Sequence, residues 1–302
     1  SVDVKPARTR EWNISIQSGL PFKSVLTISY VGTSVHEPSG RQYNAPSVGF
    51  HSNLQNDRPH PHFGSIYVLV NEGKYWYNGL QTKWERRYEN GLSFTASYAW
   101  SKTMTEGLPG IPYSPAWYNR NVTGYGYPHV ESATILWQIP FGHSKKFGAN
   151  SGRIVNQILG GWQISGIQTA HSGGALEIGQ SNGNLGNGYS SRTNLIGNPR
   201  ISNPSKDKWF NTSASAVPDL YKWGNSGVGS VVGPGAFQVN SGLRKSFSWA
   251  QDRYLQFRWE TFNLTNRVNY CNPDTNFQDG SFGQIGCSAT ARYMQFGLKA
   301  IF

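Results

Sequence analysis

A chain of 302 residues has room for one large all-β domain or two ordinary ones, and its 35 Gly, 11 Trp and 16 Tyr suit strands joined by long turns. The net charge of +11 comes from Lys and Arg scattered in runs no longer than two, which argues against nucleic acid, a partner that gathers cations on one face. Mean hydropathy is −0.51 and no apolar run is long enough for a transmembrane helix, but a transmembrane barrel keeps the same low average by alternating apolar-out with polar-in.

The sequence opens SVDVKPARTRE without a charged-then-apolar leader, like the interior of a longer chain. Residues 10–17 set Trp12, Ile14 and Ile16 against Asn13, Ser15 and Gln17, the period of two of a strand. The turn SGLPFK leads to a strand over 24–32. A loop rich in His, Pro, Asn and Gly then runs from 33 to about 74. Residues 77–88 set Leu80, Thr82, Trp84 and Tyr88 against Gln81, Lys83, Glu85 and Arg87, and Glu89-Asn90-Gly91 signals a tight hairpin. In 92–102, Leu92, Phe94, Ala96, Tyr98 and Trp100 alternate with Ser93, Thr95, Ser97, Ala99 and Ser101.

A second long loop reaches about 129, and 130–139 alternates Ala133, Ile135 and Trp137 with Ser132, Thr134 and Gln138. A connection of medium length, FGHSKKFGANSGRIVNQ, precedes a strand over 159–170. The longest loop, rich in Gly and Asn, spans about 172–235. Strands over 236–249 and 252–266 pair across WAQD, and a loop with both cysteines leads to a last strand over 292–302. That strand places Met294, Phe296, Leu298, Ala300 and Phe302 on one face. The total is roughly nine strands.

Short and long connections alternate. In an up-and-down antiparallel sheet this puts tight turns on one edge and long loops on the other, the layout of an outer-membrane barrel. A Greek-key sandwich has no reason to segregate its loops. The expected fold is therefore an all-β, antiparallel transmembrane barrel fragment. Lys83, Glu85, Arg87, Arg244, Gln256, Arg258 and Glu260 are the candidates for a wet lumen. Trp12, Trp84, Trp100, Trp137, Trp249, Phe257, Trp259, Phe296 and Phe302 are the candidates for the lipid face and its aromatic girdles.

Several segments, in this order and spacing, carry a family likeness: YNGLQTKWERRYENGLSFTASYAWSKTM, ILGGWQISGIQTAHSGG, WFNTSA, FRWETFNLTNRVNY and the closing QFGLKAIF. With YVGTS and RPHPHFGSI they resemble the C-terminal half of the barrel of Oar-like TonB-dependent outer-membrane receptors, from about residue 24 to 302. The chain departs from that pattern at GYPHVES, where an Asp-, Arg- and His-rich lead-in is usual, and in the loop near Gly233. The resemblance implies a plug and a carboxypeptidase-regulatory-like domain, neither of them in 1–302. It also implies a roughly 22-stranded barrel of which these are about the last nine strands. It implies partners as well: the TonB complex acting through the absent plug, outer-membrane lipid, and an assembly machinery that reads a C-terminal aromatic such as Phe302. No nucleic acid is expected.

Chemistry beyond this is sparse. GNLGNG at 183–188 lacks a strand-to-helix context and reads as a flexible loop rather than a dinucleotide site. His36, His51, His60 and His62 with Glu37 read as solvated loop residues, and no cofactor is expected. Glu85 and Glu260, alternating with Arg87 and Arg258, read as ion pairs along a wet wall rather than an acid–base pair. Cys271 and Cys287 share one expected extracellular loop, where either a disulfide or two free thiols fits. Loops rich in Asn, Gly, Tyr and Trp suit a large polar ligand, oligosaccharide or peptide before metal chelate. Two other readings stay open: a secreted or surface β-sandwich adhesin or binding module, and an outer-membrane hydrolase, for which no convergent acid–base pair is evident.

Overall fold

Nine long strands hydrogen-bond in chain order into one antiparallel sheet. They are β1 (Arg8–Leu20), β2 (Ser24–Gln42), β3 (Tyr67–Glu89), β4 (Leu92–Glu106), β5 (His129–Gln138), β6 (Trp162–His171), β7 (Ala236–Ala250), β8 (Arg253–Phe262) and β9 (Tyr293–Ile301). The coordinates are a computed structural model that describes residues 4–107, 111–123, 126–143, 145–250 and 253–302. The first residues of the SVDVKPARTRE opening and the centre of the WAQD hairpin lie outside the described residues. In the sheet, β1 and β9 are the outer strands, so it is open.

The turns follow the local chemistry. Asn90 and Gly91 have φ of 53° and 82°, the left-handed pair of a two-residue hairpin. Phe22 and Lys23 make the β1–β2 turn at φ of 61° and 54°. Trp12 pairs across the ladder with Gly32. A Cβ on Gly32 would stand 2.1 Å from the Trp12 indole, so the missing side chain makes room for the ring.

Three expectations need correction. The first loop is shorter than its composition suggests, because β2 continues to Gln42 and β3 begins at Tyr67. Pairs such as Val35↔Tyr75 and His36↔Lys74 extend the ladder. It shifts register between Glu37 and Ser39, at Pro38, which has no N–H to give. Alternation fails there as a signal because residues 33–42 are mostly polar on both faces and residues 67–70 are apolar on both.

The medium connection holds a helix, Arg153–Leu159, so Leu159 belongs to it and the strand begins at Trp162. Seven residues between Gly152 and Gly160 are too few for a helical period to stand out. β8 ends at Phe262, and Asn263 and Asn266 turn the chain with φ of 52° and 50°. Elsewhere a four-residue helix (Ala116–Asn119) precedes Asn121–Val122, which pairs with β4. In the longest loop Ala175–Leu176 pairs with Val231–Val232, and Asn194–Leu195 with Ser215–Ala216. The helices are α1 (Ala116–Asn119) and α2 (Arg153–Leu159).

The hydrophobic core is in the loops. Among the described residues the buried apolar side chains are Ala45, Tyr118, Ile178, Leu185, Phe210, Ala214, Val231 and Ile285, and every one lies outside the nine strands. Ile178, Phe210 and Val231 pack with Leu176, Trp209 and Phe282 into one cluster. The apolar residues of the strands are exposed instead: Ile14 at 70%, Ile16 at 72%, Phe296 at 69% and Leu298 at 72%.

In the last loop a disulfide joins Cys271 and Cys287, with Cα atoms 5.5 Å apart. The Cys271 N–H also donates to Cys287 O at 3.1 Å, and Tyr270 and Ser288 form a bridge. A closed loop of this length contributes about 3 kcal/mol at most by restricting the unfolded chain. Replacing both cysteines by Ser is expected to raise protease cutting within 272–286 while the far-ultraviolet circular dichroism of the sheet stays unchanged. A loss of sheet signal would show that the bridge supports more than its loop.

Candidate functional site

The ladders sort the strand residues onto two faces. Trp84 and Trp100 share a face, linked through Trp84↔Ala96 and Leu80↔Trp100. The row Trp137↔Ile164↔Leu243↔Trp259↔Phe296 continues that face across five strands. Phe257, opposite Lys245 and Leu298, belongs to it, as does Trp12 opposite Gly32. Trp249 falls in the register shift between Ser248 and Ala250, and Phe302 lies one residue beyond β9, 89% exposed.

The opposite face is polar. It carries Thr27↔Lys83↔Ser97↔Ser132↔Thr169, with Glu85 opposite Val25 and Thr95. Further along stand Gln163↔Arg244↔Arg258 and Ser246↔Gln256↔Lys299, with Glu260 opposite Gly242 and Gln295. The pairing on this wall differs from the expected Arg–Glu alternation. Lys83 pairs with Glu85 at 2.5 Å. Glu260 accepts from Gln295, Arg244 donates to Gln163, and Arg258 donates to Gln256 at 2.6 Å. Arg87 falls in the register shift between Arg86 and Glu89. Glu85 thus takes Lys83 rather than Arg87, though both stand two residues away on the same strand, and Glu260 takes the amide directly opposite.

At the long-loop edge this polar face meets the loops and forms a cavity of about 670 Å³, within the usual range for small-molecule sites. Tyr75 and Tyr77 of β3 and Val130 of β5 form its wall; Tyr127, Val228 and Val232 come from the loops. Ser101 and Thr103, from β4, add hydroxyls. Tyr127 stacks on His171 with ring centroids 3.6 Å apart, and the Ser101 N–H donates to Pro128 O at 2.8 Å, tying this roof to the sheet. The sequence reading missed this site because its residues come from distant segments; a strand over 77–88 says nothing of what covers Tyr77, and Tyr75 lies before the expected strand.

The loops above are structured by their own polar side chains. Asn184 is buried, its Oδ1 accepting the Ser191 N–H at 2.9 Å and a Gln180 N–H at 2.8 Å while Nδ2 donates to Lys222 O at 2.8 Å. Asn44 donates to Gly64 O at 2.7 Å and accepts the His60 N–H at 2.8 Å. Asn269 clamps Phe237 through both its N–H (2.8 Å) and its carbonyl (3.1 Å). The expected flexible loop at 183–188 is instead packed, with Leu185 and Asn187 buried beside Asn184. The asparagines read as ligand-binding groups thus close loops, since an amide supplies a donor and an acceptor to a backbone that no ladder satisfies.

Arg192 is buried over the Tyr118 ring at 3.7 Å and donates to Tyr118 O at 2.7 Å and Asn121 Oδ1 at 2.8 Å. Burial pushes the Tyr118 phenol above its ordinary value. Among the described residues no three His, Cys, Asp or Glu side chains gather as metal ligands. His36 stands opposite Lys74 in the ladder, and His51 sits in the first loop.

A family model described as an outer membrane beta barrel domain matches residues 1–295. The chain belongs to this family. Its place is accordingly the outer membrane, and the nine antiparallel strands are part of a barrel wall. Short turns of such barrels lie on the periplasmic side and long loops outside the cell. No curated protein matches the chain. Among solved structures it is similar to BauA, the ferric preacinetobactin receptor of Acinetobacter baumannii: 11% identity, TM-score 0.46, 96% of this chain against 29% of that one. It is also similar to Fiu, the ferric-catecholate import receptor of E. coli K12: 10% identity, TM-score 0.47, 100% against 29%. A third is P. aeruginosa FpvA bound to a heterologous pyoverdine: 9% identity, TM-score 0.49, 97% against 27%. The chain spans less than a third of the length of each.

Two outcomes follow for the extracellular loops. Asn184→Ala orphans buried groups of Ser191, Gln180 and Lys222, at a local cost of about 2–3 kcal/mol. Hydrogen exchange should quicken across 180–225 and stay unchanged in β3 and β4. His51 gives Nε2 to Ser47 O at 2.7 Å and Nδ1 to Asp57 at 3.0 Å. The Ser47 carbonyl first, and then Asp57, raise its pKa above the ordinary value. Its contribution is therefore complete below about pH 6.5, the unfolded value, and is lost as pH rises through the folded one. Proteolysis of residues 43–66 should speed up between pH 6 and 8 in the native protein, while His51→Gln should show no such step.

Proposed function

We propose that these nine strands are part of the wall of a larger TonB-dependent receptor, and that the cavity beneath the loops is where its ligand is first held. The observation that carries this reading is the reversed distribution of apolar residues, buried in the loops and exposed on the sheet. The face with Trp84, Trp100, Trp259 and Phe296 meets lipid; the face with Lys83, Glu85, Arg244, Gln256, Arg258 and Glu260 lines the lumen. A charged row, Arg8↔His36↔Lys74↔Glu106, ends the apolar face toward the loops. Lys74 and Arg86 stand 12 residues apart on β3, about 40 Å along a strand at ~3.4 Å per residue. A tilt of about 40° reduces this to roughly 30 Å, enough to bracket the apolar band of a membrane barrel, about 25 Å tall.

The cavity favours a ligand with flat apolar faces and hydroxyls. Tyr75, Tyr77 and Tyr127 offer ring faces, and Ser101 and Thr103 offer hydroxyls. Sugar rings and aromatic peptide side chains both match, so a large polar ligand of oligosaccharide or peptide type is preferred to a ferric chelate. The two outer strands call for further strands to pair with, and energy reaches such a ligand through TonB and a plug outside 1–302.

Binding by the purified full-length receptor to oligosaccharide, peptide and ferric-chelate panels tests the ligand. Tyr75→Ala and Tyr127→Ala should each weaken the bound class about tenfold, the worth of one stacked ring, without changing barrel assembly. Binding of ferric chelates alone would reject the ligand class. Uptake that persists in cells treated with an uncoupler would reject active transport.

A further inference from the structure

The connection between β5 and β6, residues 139–161, lies on the short-turn edge and carries Lys145, Lys146 and Arg153. From 132 to 176 the sequence has no Asp or Glu. Its helix, α2, is folded with polarity reversed. Asn156 and Gln157 turn toward the protein: Asn156 Oδ1 accepts the His143 N–H at 2.6 Å, and Gln157 Nε2 donates to Ser248 O at 3.1 Å. Ile154, Val155, Ile158 and Leu159 point away, exposed by 77%, 48%, 61% and 52%. Water disfavours that orientation, and a membrane surface favours it.

The helix is fastened to the apolar side of the sheet. Trp162 Nε1 donates to Ile158 O at 2.9 Å. Lys245, which shares the apolar face with Trp162, is buried, gives its ammonium to Gly160 O, and lies 5.6 Å from the Trp162 ring and 5.0 Å from that of Phe247. Gly142, at φ 118°, passes so close that a Cβ would stand 2.5 Å from Asn156 Oδ1. The helix is therefore held by specific contacts in its outward pose, continuous with the surface assigned to lipid.

We propose that α2 and the turn at Lys145 and Lys146 form an interfacial anchor in the periplasmic leaflet. The four aliphatic side chains enter the acyl boundary, and Lys145, Lys146 and Arg153 hold anionic phospholipid headgroups. Three cations in a stretch, 132–176, that has no acid of its own match that surface, each attracting an anionic headgroup about fivefold. The anchor rests on the chain's membrane location and on which face meets lipid, not on the transport reading.

The test uses the full-length protein in nanodiscs of phosphatidylcholine alone or mixed with phosphatidylglycerol. An environment-sensitive fluorophore is placed at Ile158→Cys, the native cysteines being bridged to each other. It should be blue-shifted and quenched by lipids spin-labelled near the headgroup. Emission typical of water would overturn the proposal. Shielding from both the lipid quencher and aqueous iodide would also overturn it, by showing that protein covers the helix. Spin-labelled phosphatidylglycerol should associate preferentially over phosphatidylcholine. Lys145→Gln with Lys146→Gln and Arg153→Gln should reduce that preference by tenfold or more while the strands stay assembled; an unchanged preference would overturn the headgroup assignment. Ile154→Asn with Ile158→Asn should weaken quenching of a probe at Leu159→Cys and leave ligand binding at the far edge unaltered.

Discussion

A bilayer offers no water to the backbone, so every peptide group within it must find its partner in protein. That constraint organises this molecule. The strand ladders run without breaks through the apolar band, and the register shifts fall near its margins: between Glu37 and Ser39 on the loop side, between Arg86 and Glu89 and between Ser248 and Ala250 on the turn side. Once the backbone is closed by ladders, side chains are released from building a core. The sheet then leaves large apolar residues exposed on the face proposed to meet lipid, and the packed interior lies in the loops.

The loops face the opposite problem. They stand in water with few ladders, and their size makes an unpaired backbone costly wherever it is covered. Asn44, Asn184, Asn263 and Asn269 answer this by bonding backbone groups near and far along the chain; Asn263, for example, accepts the Arg267 N–H at 3.1 Å and donates to Thr290 O at 3.3 Å. A small aromatic and aliphatic cluster around Phe210 and the bridge between Cys271 and Cys287 supply the rest. A roof stiffened in this way can hold a cavity open against the polar face of the sheet, which a floppy loop could not.

The architecture was legible in the sequence wherever one face meets water and the other lipid. Leu92 to Trp100, Phe257 to Trp259 and Met294 to Leu298 alternate, as two faces in different solvents require, and the alternating lengths of the connections supplied the topology. Legibility failed where both faces meet the same medium: residues 33–42 and 67–74 are paired strands that read as loop. It failed at α2, where seven residues give no period. It failed most in the loops, where composition rich in Asn and Gly suggested ligand contact and flexibility. An amide bonds a sugar hydroxyl and a backbone carbonyl by the same chemistry, so only placement separates the two roles. The cavity, assembled from β3, β4, β5 and three loop segments, had no local signature.

The outer strands carry the argument one step further. Every residue of β9 from Tyr293 to Ile301 pairs with β8, and β1 pairs with β2 from Arg8 to Leu20. Each leaves its other edge of N–H and C=O groups without a ladder in this sheet. In water such an edge is a liability that charge or bulges manage. In hydrocarbon it is costlier, because an unsatisfied peptide group there costs several kcal/mol, and β9 exposes Phe296 and Leu298 while its single charge, Lys299, stands on the polar face. The two edges are built to be paired, which is why the wall is read as an arc of a larger ring. The same logic places α2 at the margin of the band: its helical backbone bonds satisfy themselves, so it can lie against lipid where a further unpaired strand could not.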